Sequence, residues 1–207
     1  MAPGRFVVFE GLDGSGTTTQ LGALREWLAH RSGAVVVTHE PSGGALGRVL
    51  RDAIDGEVAL DPVALALAFA ADRADHLATP DTGVLAALDA GSWVLSDRYV
   101  VSSLAYQSGQ GLPLEWLAEI NRFARPPDLT IFIDTPPEEC LRRIEARGLP
   151  GLFHDLAPLQ RTLAGYRAAL SGWPALAGRL LEIDGSGSPA TVTAAVVEGV
   201  AAWLAGD

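Results

Sequence analysis

The stretch Gly11-Leu12-Asp13-Gly14-Ser15-Gly16-Thr17-Thr18-Thr19 decides the fold. It follows a short apolar run, Phe6–Glu10, and leads into a helical stripe of Leu21, Leu24 and Leu28. Strand, glycine-rich turn and helix form the context of a phosphate-binding loop. The glycines let successive backbone N–H groups converge on phosphate oxygens, and the positive end of the helix adds to the attraction. Thr18 takes the Ser/Thr position that holds magnesium. One position departs from the pattern: Thr17 stands where a lysine normally cradles the β- and γ-phosphates. No lysine elsewhere compensates, because all 15 basic residues of the chain are arginine. The substitute cation is therefore an arginine or magnesium itself.

Outward from this loop, short apolar runs alternate with longer helical patterns. Phe6–Glu10, Ala34–Thr38, Trp93–Ser96, Leu129–Asp134 and Leu180–Asp184 read as five strands, nearly continuous in apolar character, as when both sheet faces are covered. Leu159, Leu163, Tyr166 and Leu170 make a second helical stripe. Helix starts are expected at Asp61-Pro62, Thr79-Pro80, Thr135-Pro136 and Ser188-Pro189, each a capping side chain before a first-turn proline. Thr135 and Glu138 have capping-box spacing, and Gly91 and Gly148 mark helix ends. The rhythm predicts an α/β, three-layer P-loop fold: a five-stranded parallel sheet flanked by helices. With no repeat and no long linker, residues 1–207 read as one domain. The segment Val63–Ala71, apolar on nearly every side, belongs either in the core or against a second subunit.

Composition narrows the function classes. At 207 residues the chain can bury a core without staples, and one cysteine, Cys140, excludes a disulfide framework or a multi-cysteine metal site. A net charge of −10 argues against binding nucleic acid or an anionic membrane. The four histidines show no metal-ligand spacing. No apolar run approaches a membrane span and neither end carries a targeting signal, so a soluble cytoplasmic protein is expected.

Further motifs carry chemistry. Asp97-Arg98 closes the third strand, at the sheet edge where open α/β folds bind ligands. There Arg98 can grip a phosphate bidentately, and Asp97 can orient it or approach magnesium through water. Phe69 and Arg73 lie four apart and share a helix face. Arg143 and Arg147 share another, ahead of Gly148-Leu149-Pro150-Gly151, which reads either as a lid stem over phosphates or as a solvated basic face.

Taken in order, Phe9–Gln20, Glu40-Pro41, Leu46-Gly47 with Arg51, Phe69–Arg73, Asp97-Arg98-Tyr99, Ser102–Gln107 and Pro127–Thr130 resemble the bacterial thymidylate kinases. The likeness runs from Phe6 to about Asp184. It implies phosphorylation of dTMP by ATP with Mg2+, a homodimer built on helix packing, and a lid at about 148–156. It places Gly11, Leu12, Asp13, Gly14, Ser15, Gly16, Thr17 and Thr18 on ATP, and Thr18 and Asp97 at magnesium. Arg98, Asp97, Arg143 and Arg147 are implied in catalysis. The dTMP site is implied at Asp13, Glu40, Arg51, Phe69, Arg73, Arg98, Ser103, Tyr106 and Gln107. In the resemblance Phe69 stacks on thymine, Arg73 meets its polar edge, and Asp13 with Tyr106 and Gln107 reads the sugar hydroxyl. His39 and Ser42 replace residues usual in that family, which shifts weight to Arg48 or Arg51 at the acceptor phosphate. Two other readings stay open: a nucleotide sensor or scaffold that lost catalysis with its lysine, and a kinase of another monophosphate such as dUMP.

Overall fold

The computed structural model describes residues 4–31, 33–147 and 155–206. In chain order these form β1 (Arg5–Gly11), α1 (Thr17–Ala29), β2 (Val35–His39), α2 (Ala45–Ile54) and α3 (Pro62–Ala78). There follow α4 (Val84–Asp89), β3 (Trp93–Asp97), α5 (Val100–Ser108), α6 (Leu114–Ile120) and β4 (Leu129–Asp134). The last third is α7 (Pro137–Ala146), α8 (Leu156–Gly172), α9 (Pro174–Ala177), β5 (Arg179–Asp184) and α10 (Pro189–Gly206). Each of the five expected strands is present, with ends displaced by at most one residue.

All pairings are parallel, in the order β2-β3-β1-β4-β5. Central β1 shows why its residues are apolar throughout. Phe6 and Val8 face one core with Val94, Leu104, Phe132 and Tyr166, while Val7 and Phe9 face the other with Leu24, Leu95, Ile131 and Val196. A strand buried on both faces has no polar side to alternate with. The register sets Phe9 beside Asp97 on one flank and Gly11 beside Ile133 on the other. The phosphate-loop stretch therefore leaves the sheet at its carboxyl edge, next to the Asp97-Arg98 step.

Two of the four expected helix starts hold. Asp61 caps α3 by accepting from Val63 N at 2.9 Å, a contact worth about 1 kcal/mol. Ser188 accepts from Thr191 N at 3.2 Å at the head of α10. Thr79-Pro80 instead ends α3: the Thr79 hydroxyl donates back to Asp75 O at 2.7 Å, and α4 begins only after Gly83. At Thr135-Pro136 the helix starts one residue late, after Pro136, and no capping box forms. The Thr135 hydroxyl is turned to Ser15 O at 3.4 Å, tying β4 to the glycine-rich turn. Gly91, at φ 80, follows α4 as expected, whereas Gly148 lies outside the described residues.

Segment Val63–Ala71 divides between its two readings. Ala66 and Ala70 are buried, but Val63 and Leu67 are 42% and 47% exposed. One expectation about membranes also changes. By length and composition α10 is apolar enough to cross one, at mean hydropathy 1.3 over 18 residues. Its stripe of Val192, Val196, Val200 and Trp203 is spent on α1 and the sheet, as in a covering helix.

Candidate active site

The turn after β1 is shaped by glycines at 14 and 16, with φ of 83° and 104°. At Gly14 a Cβ would come within 2.6 Å of Cys140 O on α7, so the loop lies directly on that helix backbone. Gly16 sits at the N-cap of α1, and no side chain caps that end. Ser15 Oγ is buried without a hydrogen-bond partner among the described residues. A buried orphan hydroxyl is costly unless a ligand supplies the bond. Thr17 is 5% exposed.

Beside this turn the Thr18 hydroxyl donates to Asp97 Oδ2 at 2.5 Å. The other carboxylate oxygen of Asp97, Oδ1, is buried with no partner among the described residues. A hydroxyl and a carboxylate oxygen in reach of a phosphate cradle are hard oxygen donors, which fit magnesium.

Arg98 occupies a left-handed backbone conformation, φ 75, rare for a residue with a Cβ. Its amide donates to Phe9 O at 2.9 Å, and Ser96 Oγ donates to its carbonyl at 2.8 Å. One guanidinium nitrogen donates to Gly11 O and, at 2.8 Å, to the Tyr166 hydroxyl. The other donates to Asp13 Oδ1 at 2.9 Å. Burial works against the charge, but Tyr106, Tyr166, Asp13 and Asp97 outweigh it and hold Arg98 firmly protonated. Asp13 Oδ2 accepts from the Tyr106 hydroxyl at 2.8 Å. Burial raises the Tyr106 phenol well above its ordinary range, so it stays a donor.

A second cluster lies between α3, α5 and α6. Arg73, 1% exposed, donates to Glu40 Oε2 and to Ser103 Oγ, each at 2.8 Å, and also to Asn121 Oδ1. Glu40 is thereby placed as the counter-ion of a buried arginine, with His76 at 3.4 Å on its other oxygen. Losing one partner of such a pair strands a buried charge. Phe69, one turn before Arg73, is half-buried rather than sealed in the core. Gln107, one turn after Ser103, is 2% exposed, and its Oε1 has no hydrogen-bond partner among the described residues. Arg51 donates to Pro41 O at 3.0 Å and Arg48 to Gly43 O at 3.2 Å, both bracing the turn that begins at Glu40. Ser42 contributes to that turn through two bonds to buried Asp72, at 2.6 and 2.7 Å.

On the far side of the glycine turn lies a cleft of about 470 Å³, walled by Ser15, Thr19, Arg142, Arg143, Arg147 and Gly185. Here one sequence expectation shifts. Arg143 spends its nitrogens on Ser15 O at 3.2 Å, Gly185 O at 2.9 Å and Glu139 at 2.7 Å, which makes it a wall of the cleft. Arg147, at the C-cap of α7, is exposed. Most of the expected lid, 148–154, lies outside the described residues.

Three residues escaped the sequence reading. Asn121, fully buried, holds Arg73. Glu10, also fully buried, accepts from the amides of Tyr99 and Ser102 at 3.1 Å and from the Ser102 and Tyr166 hydroxyls. Burial raises its carboxyl, against the pull of Ser102, Arg98 and Tyr166. Tyr166 registered only as a stripe residue. A carboxylate inside an otherwise apolar strand was the one signal available for Glu10.

A family model described as "Thymidylate kinase" matches residues 9–195. A probable thymidylate kinase of Pyrococcus abyssi is 47% identical over 164 residues, 76% of this chain and 78% of its own. A putative thymidylate kinase of Treponema pallidum is 40% identical over 184 residues, 86% of each chain. A probable thymidylate kinase of Pyrobaculum calidifontis is 41% identical over 178 residues, 84% of this chain and 88% of its own. With archaea and a spirochaete among these sources, the likeness supports the family as a whole.

Proposed function

Since the chain belongs to the thymidylate kinase family, we propose that it transfers the γ-phosphoryl group of ATP to dTMP, giving ADP and dTDP. The observation that carries this reading is the convergence of two pairs at one sheet edge. Thr18–Asp97 faces the donor loop, and Arg98–Asp13 faces the acceptor side. A phosphate oxygen of dTMP attacks the γ-phosphorus while the bond to the β-phosphate oxygen breaks, with no covalent enzyme intermediate. Loop amides and the open end of α1 hold the donor phosphates, and Ser15 Oγ gains its missing partner from them. Thr18 and Asp97 would hold magnesium, which would supply charge neutralisation on the donor phosphates. Arg98 fixes the acceptor phosphate, and the cleft behind Arg143 takes the donor base. Thymine lies against Phe69 with its polar edge toward Arg73, Ser103 and Gln107. Positioning and charge do the catalysis.

Residues 1–207 act as one catalytic domain with a lid at about 148–156, in the cytoplasm where its nucleotides are. A coupled assay with ATP, magnesium and single monophosphates tests the reading. dTMP is expected to be the best acceptor and dUMP poorer by about 10–200-fold at most, the worth of one methyl group in an apolar pocket. Binding of dTMP with no dTDP formed under any divalent metal refutes the kinase and leaves a sensor.

The same family reading extends to a homodimer. Leu46 and Val49 on α2 and Val63 and Leu67 on α3 form an open apolar face, 39–47% exposed on helices that pack together. Light scattering at micromolar concentration is expected to give twice the chain mass. Leu67→Glu, at a site already exposed in the monomer, is expected to halve it. Wild-type protein at the monomer mass defeats the dimer.

A further inference from the structure

The chain of bonds behind Arg98 has a direction. Glu10 Oε1 accepts the amides of Tyr99 and Ser102, each at 3.1 Å. Its Oε2 accepts the Ser102 hydroxyl and, at 3.1 Å, the Tyr166 hydroxyl, while Tyr166 and Ser102 oxygens lie 2.7 Å apart. Facing four donors, both oxygens of Glu10 act as acceptors. The Tyr166 proton is therefore drawn toward Glu10, directly or through Ser102. That turns the lone pairs of the Tyr166 oxygen outward, where Arg98 Nη1 donates at 2.8 Å. A phenol with a single proton cannot serve both sides as a donor. The carboxylate behind decides what the arginine in front meets.

We propose that Tyr166 and Glu10 are positioning residues, a polarised pair that aims the Arg98 guanidinium at the acceptor phosphate. Neither touches substrate. Both act through Arg98, whose guanidinium is shared between Tyr166, Gly11 O and Asp13. The same carboxylate also caps the first turn of α5, the helix that carries Ser103, Tyr106 and Gln107. One buried group thus sets the arginine and the acceptor wall together. This rests on the proposed dTMP site.

The test separates aim from stability. In Tyr166→Phe the ring remains and the hydroxyl is lost, taking with it the acceptor for Arg98 and the contacts to Glu10 and Ser102. Affinity for dTMP by calorimetry is expected to fall about tenfold or more, the scale of a hydrogen bond to a charged group. Affinity for thymidine, which lacks the phosphate, is expected to stay within twofold. In an Arg98→Ala background, Tyr166→Phe should add nothing further to dTMP binding. Glu10→Gln probes the polarity: whichever way its amide turns, an N–H faces either the two backbone amides or the two hydroxyls. Where that variant folds, it is expected to lose dTMP affinity at least as far, with some loss on thymidine as well, because the same carboxylate caps α5. Equal losses on dTMP and thymidine in Tyr166→Phe, or no loss on either, overturn the proposal. Wild-type protein that binds dTMP no better than thymidine overturns instead the phosphate site beneath it.

Discussion

Arg98→Ala is expected to lower kcat/KM for dTMP by about 10³–10⁵-fold, the scale of a positioned arginine in phosphoryl transfer. That corresponds to about 4–7 kcal/mol of barrier. The reason lies in its place at the meeting of β1 and β3, where its nitrogens already span Gly11 O, Tyr166 and Asp13. The second half of the experiment uses its backbone. At φ 75 a Cβ costs about 1–2 kcal/mol relative to glycine. Arg98→Gly is therefore expected to be more stable than Arg98→Ala by about that amount in urea denaturation, while equally inactive. Equal stability of the two variants means that the left-handed conformation is not kept once the guanidinium is gone. Near-wild-type turnover in either removes Arg98 from the mechanism.

Arg147→Ala is expected to lower kcat by at least about two decades while dTMP affinity stays nearly intact. That pattern marks a contact made chiefly in the transition state. The motive is Thr17: a kinase without its loop lysine takes the missing charge from elsewhere, and the chain offers only arginines. Of the two on the α7 face, Arg143 is already bonded to Ser15 O and Gly185 O, and Arg147 is exposed. Arg143→Ala is accordingly expected to raise KM for ATP more than it lowers kcat. Thr17→Lys should recover part of the loss in Arg147→Ala while adding little to wild type. Unchanged kcat in Arg147→Ala leaves magnesium and the loop amides to carry the charge alone.

The strands were legible because burial on both faces writes an unbroken apolar run, as in Leu129–Asp134. Cap signals were less reliable, since Thr-Pro marks the end of α3 at Thr79 as readily as the start of another helix. The candidate site residues Asp13, Arg73 and Arg98 announced themselves through motif and position. Those that act on other residues did not. Asn121 and Tyr166 contribute one bond each to an arginine that is distant in sequence, and no local pattern records such a partner. Arg143 was legible as a basic residue near phosphate. Its commitment to two carbonyl oxygens depends on how α7, the glycine turn and the β5–α10 connection come together.

The contact of Gly14 with Cys140 O closes one position of the turn to substitution. A cation cannot be added at 14 to make up for the threonine at 17. Any side chain there has to push α7 away, and α7 bears the arginine wall of the donor cleft. The backbone of α7 thus restricts which positions of the turn can carry a charge, while the end of the same helix, at Arg147, leaves one in the open.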